Sequence, residues 1–419
     1  MEFYFPDSQD QVDPSFDFIT EQRSIHRVRQ RDDRYAHEVI DPPPYDGLLI
    51  SKPIVDGLPG TTAKYTEAQR NRLYRQGAKR FFRLDQRGEG LKIMGDCGAF
   101  TYVREHEPVY TVEEVLEFYE GSGLDLGVAM DHLIFGYDAE LDAKSIADVP
   151  EEWRFRQNLT IELAAEFLQL HKARRCRFEP LAVAHGWSPL SYASAVTQLQ
   201  RIGYDRIALG GMVPLKTPDI LKSLKEVSVA LDPAVQLHLL GITRTAHVHD
   251  FAGFGVTSFD STSPFRQAFK DEKDNYYTLD STFVAIRIPQ VDGNTRLRRQ
   301  VTAGLVDQRS ARRLERDCLS RLRGYDRGDE SLERVLDAIC SYAELLGTTK
   351  DRTSEYRRTL EAKPWKRCRC TVCREIGVEV IIFRGADRNR RRGFHNLAVF
   401  SARLRRELDG TDARSQLAR

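Results

Sequence analysis

Between residues 47 and 260, short apolar runs alternate with longer amphipathic stretches. The short runs predict strands at Gly47–Ile54, Leu91–Gly95, Leu126–Met130, Leu181–Ala184, Arg206–Leu209, Leu237–Gly241 and Val256–Phe259. Apolar runs of about four to eight residues bounded by turn residues fit strands buried on both faces. The intervening stretches predict helices at Thr111–Tyr119, Glu151–His171, Ser188–Ile202, Pro218–Leu231 and Thr245–Phe251. Alternation of this kind implies a parallel sheet, because neighbouring parallel strands need a crossover that returns the chain to the same end. Seven strands, with room for an eighth, predict an α/β fold of the (β/α)8 TIM-type barrel class, about 250 residues with extensions. An open doubly wound sheet is the structural alternative. No GxGxxG or GxxxxGK[ST] follows any strand, so a nucleotide-phosphate cradle has no support.

The pattern changes outside this region. Residues 1–45 end in Asp41-Pro-Pro-Pro-Tyr45 and predict an irregular leader, because proline runs resist both helix and central strand. Residues 46–264 form the main part of the predicted barrel. Residues 265–363 predict a charged helical insertion, with a helix at Ser331–Leu346, and residues 364–419 a cysteine-bearing segment and a C-terminal helix.

Composition narrows the class. With 419 residues, 41% hydrophobic, 16 Tyr and 21 Phe, the chain can bury a large core, which argues against a disordered or fibrous protein. No apolar run approaches the roughly 20 residues of a membrane span, and the opening MEFYFPDSQDQ lacks a signal-peptide profile, so a cytoplasmic protein without a membrane partner is expected. The net charge of +1 conceals basic runs at Arg296–Arg323, Lys363–Arg369, Arg384–Arg392 and Arg403–Arg406. Any single run reads equally well as a solvated helix face, but several in the last third point towards a polyanion such as nucleic acid.

Three of the seven cysteines crowd into Cys368-Arg-Cys370-Thr-Val-Cys373, and His395 follows after a β-like run at Val378–Phe383. Three thiolates and one imidazole are the ligand set of a closed tetrahedral Zn2+ site. With no open coordination position, such a zinc is structural, and residues 364–419 become a C-terminal zinc-binding module. Cys176, Cys318 and Cys340 suggest no role.

The chemistry must therefore lie at the strand ends, which in a barrel face the active-site mouth. Aspartates dominate there: Asp96 in Asp96-Cys-Gly-Ala-Phe100, Asp131 after Met130, and Asp260 in Asp260-Ser-Thr-Ser-Pro. One aspartate after a strand is commonly a helix cap or turn residue, whereas three on one rim suggest chemistry. Two carboxylates flanking a sugar carbon can serve as nucleophile and general acid/base. His185-Gly186 and Gly210-Gly211-Met212 end two further strands. Gly210 and Gly211 would let backbone N–H groups approach a planar ligand. Phe100 would stack on a base, and Met94, Met130 and Met212 would either wall a flat ligand or fill the core.

Together these segments resemble the tRNA-guanine transglycosylases, zinc-bearing (β/α)8 barrels that exchange guanine for a 7-deazaguanine base. Asp96-Cys-Gly-Ala-Phe100 resembles the family's acid/base motif and its stacking aromatic. Met130-Asp131 resembles the segment that reads the guanine edge, Ala208-Leu-Gly-Gly-Met-Val-Pro214 the loop contacting the base, and Ser258-Phe-Asp260-Ser the nucleophile motif. Cys368, Cys370, Cys373 and His395-Asn396-Leu397 match the zinc signature. There are departures: His185-Gly186 stands where the tRNA enzymes carry Gln-Gly, Cys97 and Ala99 replace Ser and Gly, and a long charged stretch separates nucleophile from zinc ligands. With the opening FYFPDSQDQVDPSFDF, the chain most resembles the DpdA branch, the DNA-guanine transglycosylases of 7-deazaguanine DNA modification.

The resemblance implies Asp260 as nucleophile, Asp96 as acid/base, and Phe100, Asp131, His185, Gly210, Gly211 and Met212 as base-binding. It implies duplex DNA with the target base flipped out, a 7-deazaguanine base, 7-cyano-7-deazaguanine (preQ0), as second substrate, and a partner ATPase. The runs Arg296–Arg323 and Arg384–Arg392 are then expected to hold phosphates. The competing readings are a tRNA-guanine transglycosylase of the queuosine or archaeosine type, and a non-catalytic zinc-bearing nucleic-acid-binding protein.

Overall fold

A computed structural model describes residues 1–88, 90–270, 274–293, 295–347 and 350–417. The chain forms two compact units, one of Met1–Gln9, Tyr45–Thr262 and Leu404–Arg419, the other of Asp10–Pro44 and Ser263–Arg403. In the first, eight parallel strands close a barrel in sequence order: β1 (Glu2–Pro6), β2 (Gly47–Ser51), β3 (Lys92–Asp96), β4 (Leu126–Val128), β5 (Glu179–Ala184), β6 (Arg206–Leu209), β7 (Gln236–Leu239) and β8 (Val256–Asp260). The crossovers are helical, including Val112–Ser122, Glu151–Arg174, Pro189–Ile202 and Thr217–Val229. Near-continuous burial of β4 and β6 follows, since side chains on one face fill the barrel and those on the other meet the helices.

The interior is packed. Tyr4, Leu49, Met94, Leu126, Val128, Leu181, Val183 and Ala208 form one buried cluster, and Leu240 packs against it. Because side chains alternate along a strand, Asp96 lies two positions beyond Met94 and shares its inward face. The β2–β3 register sets Ser51 opposite Asp96. Met94, Met130 and Met212 are all buried, and Met94 belongs to this cluster.

The eighth strand comes from the expected leader. β1 pairs with β2 through Tyr4↔Gly47 and with β8 through Tyr4↔Asp260. Phe3, Tyr4 and Phe5 are each at most 3% exposed, and burial of such side chains contributes about 1.5–3 kcal/mol apiece. A five-residue strand at a chain end, stopped by Pro6 and far from β2, offers too short a pattern to stand out.

Residues 10–44, irregular apart from the short helix Ala36–Val39, belong to the second unit. Glu21 accepts hydrogen bonds from Arg384 at 2.5 and 2.6 Å and from Arg388 at 2.5 Å. Burial pushes its carboxyl up, but hydrogen bonds from Arg384 and Gln290 and the two guanidinium charges bring it down to about 2. Arg384 also pairs with Glu315, and Arg388 and Arg323 with Glu379. Arg384, Arg388, Arg391 and Arg392 are all buried, so the run Arg384–Arg392, expected at phosphates, is structural: one stretch of helix Gly385–Leu417 and its preceding residue turn inwards to meet carboxylates and carbonyls. Arg298, Arg299, Arg309, Arg313 and Arg316 are exposed, whereas the side chain of Arg296 lies outside the described residues. The β-like run Val378–Phe383 is a 3-10 turn over Gly377–Ile381 followed by the short strand Ile382–Phe383. Among the described residues, no helix is long and apolar enough to cross a membrane.

Removing residues 1–7 strips β1 from the barrel and leaves the facing edges of β2 and β8 unpaired. The expected outcome is loss of cooperative thermal unfolding by circular dichroism; a truncated chain that melts cooperatively near the full-length midpoint contradicts the assigned closure.

Candidate active site and metal centre

A cavity of about 560 Å³ opens at the C-terminal ends of the strands, and Asp96, Asp131 and Asp260 all line it together with Phe100, Gly210 and Gly211. Asp131 and Asp260 are buried, at 4% and 7% exposure, and Asp96 is half-buried. Crowding three carboxylates into a low-dielectric space is unfavourable unless protons or hydrogen-bond donors compensate. Each of the three meets this differently.

Asp96 keeps its proton longer. Its carboxyl is pushed from an ordinary 3.8 up to about 6, chiefly by burial, with the nearby charges of Asp131 and Asp260 adding to the effect. The Gly98 N–H and the Ser51 hydroxyl oppose it by hydrogen bonding. That turn needs glycine: Gly98 has φ +80°, and a Cβ there would lie 2.3 Å from Pro53. The following 3-10 turn, Ala99–Tyr102, leaves the Phe100 ring 73% exposed at the rim.

Asp131 is held by donors. The Cys97 thiol donates to Oδ1 at 3.1 Å, and His185 Nε2 lies 2.7 Å from Oδ2. Burial, then the charges of Asp131 and Asp96, raise the Cys97 thiol well above its ordinary value, so it stays protonated as a donor. His185 Nδ1 has no hydrogen-bond partner, so the ring meets the carboxylate through Nε2–H. The His185 carbonyl is anchored by Gln157 Nε2 at 2.7 Å.

His185 and Met212, expected at the base, are buried and are not among the residues that line the cavity. The Gly-Gly pair explains why. A Cβ on Gly210 would sit 2.3 Å from the His185 ring, and one on Gly211, at φ +74°, 2.6 Å from the Ile134 carbonyl. Gly210 therefore makes room for the imidazole that braces Asp131. The Gly210 carbonyl in turn accepts from Tyr192 at 2.8 Å.

Asp260 also accepts two donors on one oxygen: the Gly241 N–H at 2.9 Å and His238 Nε2 at 3.3 Å, both at Oδ1. His238 was not singled out from sequence, nor were Asp7, Ser51, Phe135 and Leu240, which line the cavity. A strand-end rule applied to β1 and β2 finds Asp7 and Ser51; His238 sits inside a strand, where a buried histidine looks like core.

In the second unit, Cys368, Cys370, Cys373 and His395 bring four ligand atoms within 4.8 Å of one another, and among the described residues they form the one such group. The sulfurs lie 3.6, 3.4 and 3.3 Å from His395 Nδ1. Tetrahedral zinc with Zn–S near 2.3 Å and Zn–N near 2.0 Å separates its sulfur and nitrogen ligands by about 3.5 Å, so the residues fit the ion. His395 Nε2 lies 2.8 Å from the Tyr277 carbonyl, which accepts its N–H and leaves Nδ1 free to ligate. The Tyr276 ring stacks on His395 at 4.0 Å, and its hydroxyl lies 3.2 Å from Cys373 Sγ. Buried Asn396 ties the same strand down, accepting from the Tyr277 N–H and donating to the Asn275 carbonyl.

Two outcomes are expected. Because the folded-state pKa of Asp96 exceeds its unfolded value, the folded chain binds the extra proton between about pH 4 and 6, and stability falls as pH rises through that window. Asp96→Asn, which never ionises, should raise the thermal midpoint by a few degrees at about pH 7.5, with the gain vanishing below about pH 4. A variant no more stable than wild type at the higher pH contradicts this environment for Asp96. Cys370→Ser should lose bound zinc by elemental analysis and lower the midpoint; undiminished metal content argues against the ligand set.

No protein-family model matches the chain. A DNA-guanine transglycosylase from Salmonella montevideo is 50% identical to it over 408 residues, covering 96% of each sequence. The match covers nearly the whole chain, and the chain therefore belongs to the DNA-guanine transglycosylase family, enzymes of the pentosyltransferase class.

Proposed function

We propose that the protein exchanges guanine in DNA for a 7-deazaguanine base, the 7-cyano form (preQ0), through a covalent glycosyl-aspartate. The observation that carries the reading is the convergence of Asp96, Asp131 and Asp260 in one cavity with the exposed Phe100 ring at its mouth, in a chain 50% identical to a protein named a DNA-guanine transglycosylase.

In this reading Asp260 attacks C1′ of a deoxyguanosine from the face opposite the base. The C1′–N9 bond breaks and its electron pair passes to guanine, whose proton is supplied by Asp96. A carboxyl pushed up to about 6 is suited to both duties, since it exchanges a proton near neutral pH. The incoming base then loses its N9 proton to Asp96 and attacks C1′, and the ester bond to Asp260 breaks. Two inversions give net retention. One N-glycosidic bond replaces another, so no redox or nucleotide cofactor enters the exchange.

Asp131, held by Cys97 and His185, presents lone pairs to the N1–H and amino group of the guanine edge. His185 serves the base through Asp131. A target inside a duplex must leave the stack at a cost of a few kcal/mol. Phe100 and Phe135, edge to face at 6.2 Å and 73% and 47% exposed, offer the flipped base and its neighbour an aromatic surface. The exposed arginines Arg298, Arg299, Arg309, Arg313 and Arg316 are the remaining candidates for phosphate contacts. A zinc held by Cys368, Cys370, Cys373 and His395 has no open position and acts structurally.

The test is incorporation of radiolabelled guanine into duplex DNA and, in parallel, bulk tRNA, with Asp260→Asn as control and an ATPase partner added in a second arm. Label in DNA that disappears in Asp260→Asn is the expected result. Label in tRNA alone overturns the substrate, full activity of the variant overturns the nucleophile, and label in neither arm moves the protein to nucleic-acid binding without catalysis.

A further inference from the structure

The nucleophile candidate is not alone in its layer of the barrel. β7 and β8 pair with His238 directly opposite Ser258, and Ser258 and Asp260, two positions apart on one strand, share a face. His238 is 1% exposed, and both ring nitrogens have partners. Nδ1 lies 2.9 Å from the Ser258 hydroxyl and Nε2 lies 3.3 Å from Asp260 Oδ1. The Tyr4 ring meets the imidazole edge on, with the ring centres 6.0 Å apart.

Resting on Asp260 as nucleophile, we propose that His238 is a positioning residue that, with the Gly241 N–H, occupies Oδ1 of Asp260 and leaves Oδ2 as the attacking oxygen. The chemistry follows from donor and acceptor counts. A carboxylate only accepts, so His238 presents Nε2–H to it; the Ser258 hydroxyl, able to donate, satisfies Nδ1 and fixes that tautomer. Two donors on one oxygen restrain rotation of the carboxylate and concentrate the free lone pairs on the other.

The same donors act again in the second half-reaction. Once Oδ2 is esterified to C1′, Oδ1 is the carbonyl oxygen of the ester. When the incoming base displaces Asp260, the electron pair of the breaking C1′–O bond returns to the carboxylate, and the N–H groups already aimed at Oδ1 stabilise the charge that develops there. His238 thus touches no substrate atom, yet bears on both formation and breakdown of the intermediate.

This arrangement separates His238 from a core histidine. His238→Leu removes the donor while filling much of the volume, and His238→Gln restores an N–H at nearly the Nε2 position. Steady-state exchange with duplex DNA and labelled guanine should show kcat reduced on the order of 10- to 100-fold in the Leu variant, with KM for either substrate changed less than about threefold. The Gln variant should recover most of that loss. Ser258→Ala keeps the imidazole but unlocks its tautomer, and should lower kcat several-fold even if the Leu variant does not fold.

Wild-type kcat in His238→Leu overturns the proposal. So does a Gln variant no better than Leu, or a Ser258→Ala variant with unchanged kcat. Asp260→Asn, run alongside, distinguishes the two failures: if it retains exchange the nucleophile reading falls, whereas if it is inactive and the His238 and Ser258 variants are not impaired, only the positioning role falls.

Discussion

Closure of the barrel by β1 is the constraint from which the site follows. One five-residue strand supplies hydrogen bonds to β2 on one side and β8 on the other, and its Tyr4 faces Asp260 in register. Only a closed parallel barrel brings the C-terminal ends of β3 and β8 to one rim, although Asp96 and Asp260 stand more than 160 positions apart in sequence. The packed interior beneath, from Tyr4 to Ala208, makes that rim a floor with carboxylates above it.

The crowding of those carboxylates is resolved by giving each a distinct environment. Asp96 has its proton affinity raised by burial and by its acidic neighbours. Asp131 has a thiol and an imidazole donating to its two oxygens, and Asp260 has two donors on a single oxygen. Acid and base assignments emerge when neighbouring groups are pushed apart in this way. His185 and His238 thus each serve a carboxylate, and the glycine at position 210 makes room for the first of them.

In the second unit the same accounting of charge has a structural outcome. Arginines that look like a nucleic-acid surface in a linear reading are consumed by Glu21, Glu315 and Glu379, held 4% exposed or less at the Arg384 and Arg388 side chains. Removing one partner from such a network strands a buried charge, which is far costlier than losing a surface pair. The Cys3His cluster sits under a comparable discipline, with Tyr277 setting the histidine tautomer and Asn396 securing the backbone that provides it.

Much of this was written in local sequence. Period and length placed seven of the barrel strands within a few residues, cysteine spacing named the three thiols of the Cys3His cluster, and aspartates following strands named the three cavity carboxylates, because each of those signals is carried by residues close together in the chain. Tertiary structure decided the rest. β1 acquires its identity only from partners 43 or more residues away. The fate of Arg384–Arg392 depended on Glu21, over 360 positions distant, and the contacts of His185 with Asp131 and Gly210 exist only because folding brings those residues together. His238 carried no local mark at all: a histidine in an apolar strand becomes a partner of Asp260 only when β7 and β8 align in register, and hydrogen bonding across strands is a property of that alignment, not of either segment alone.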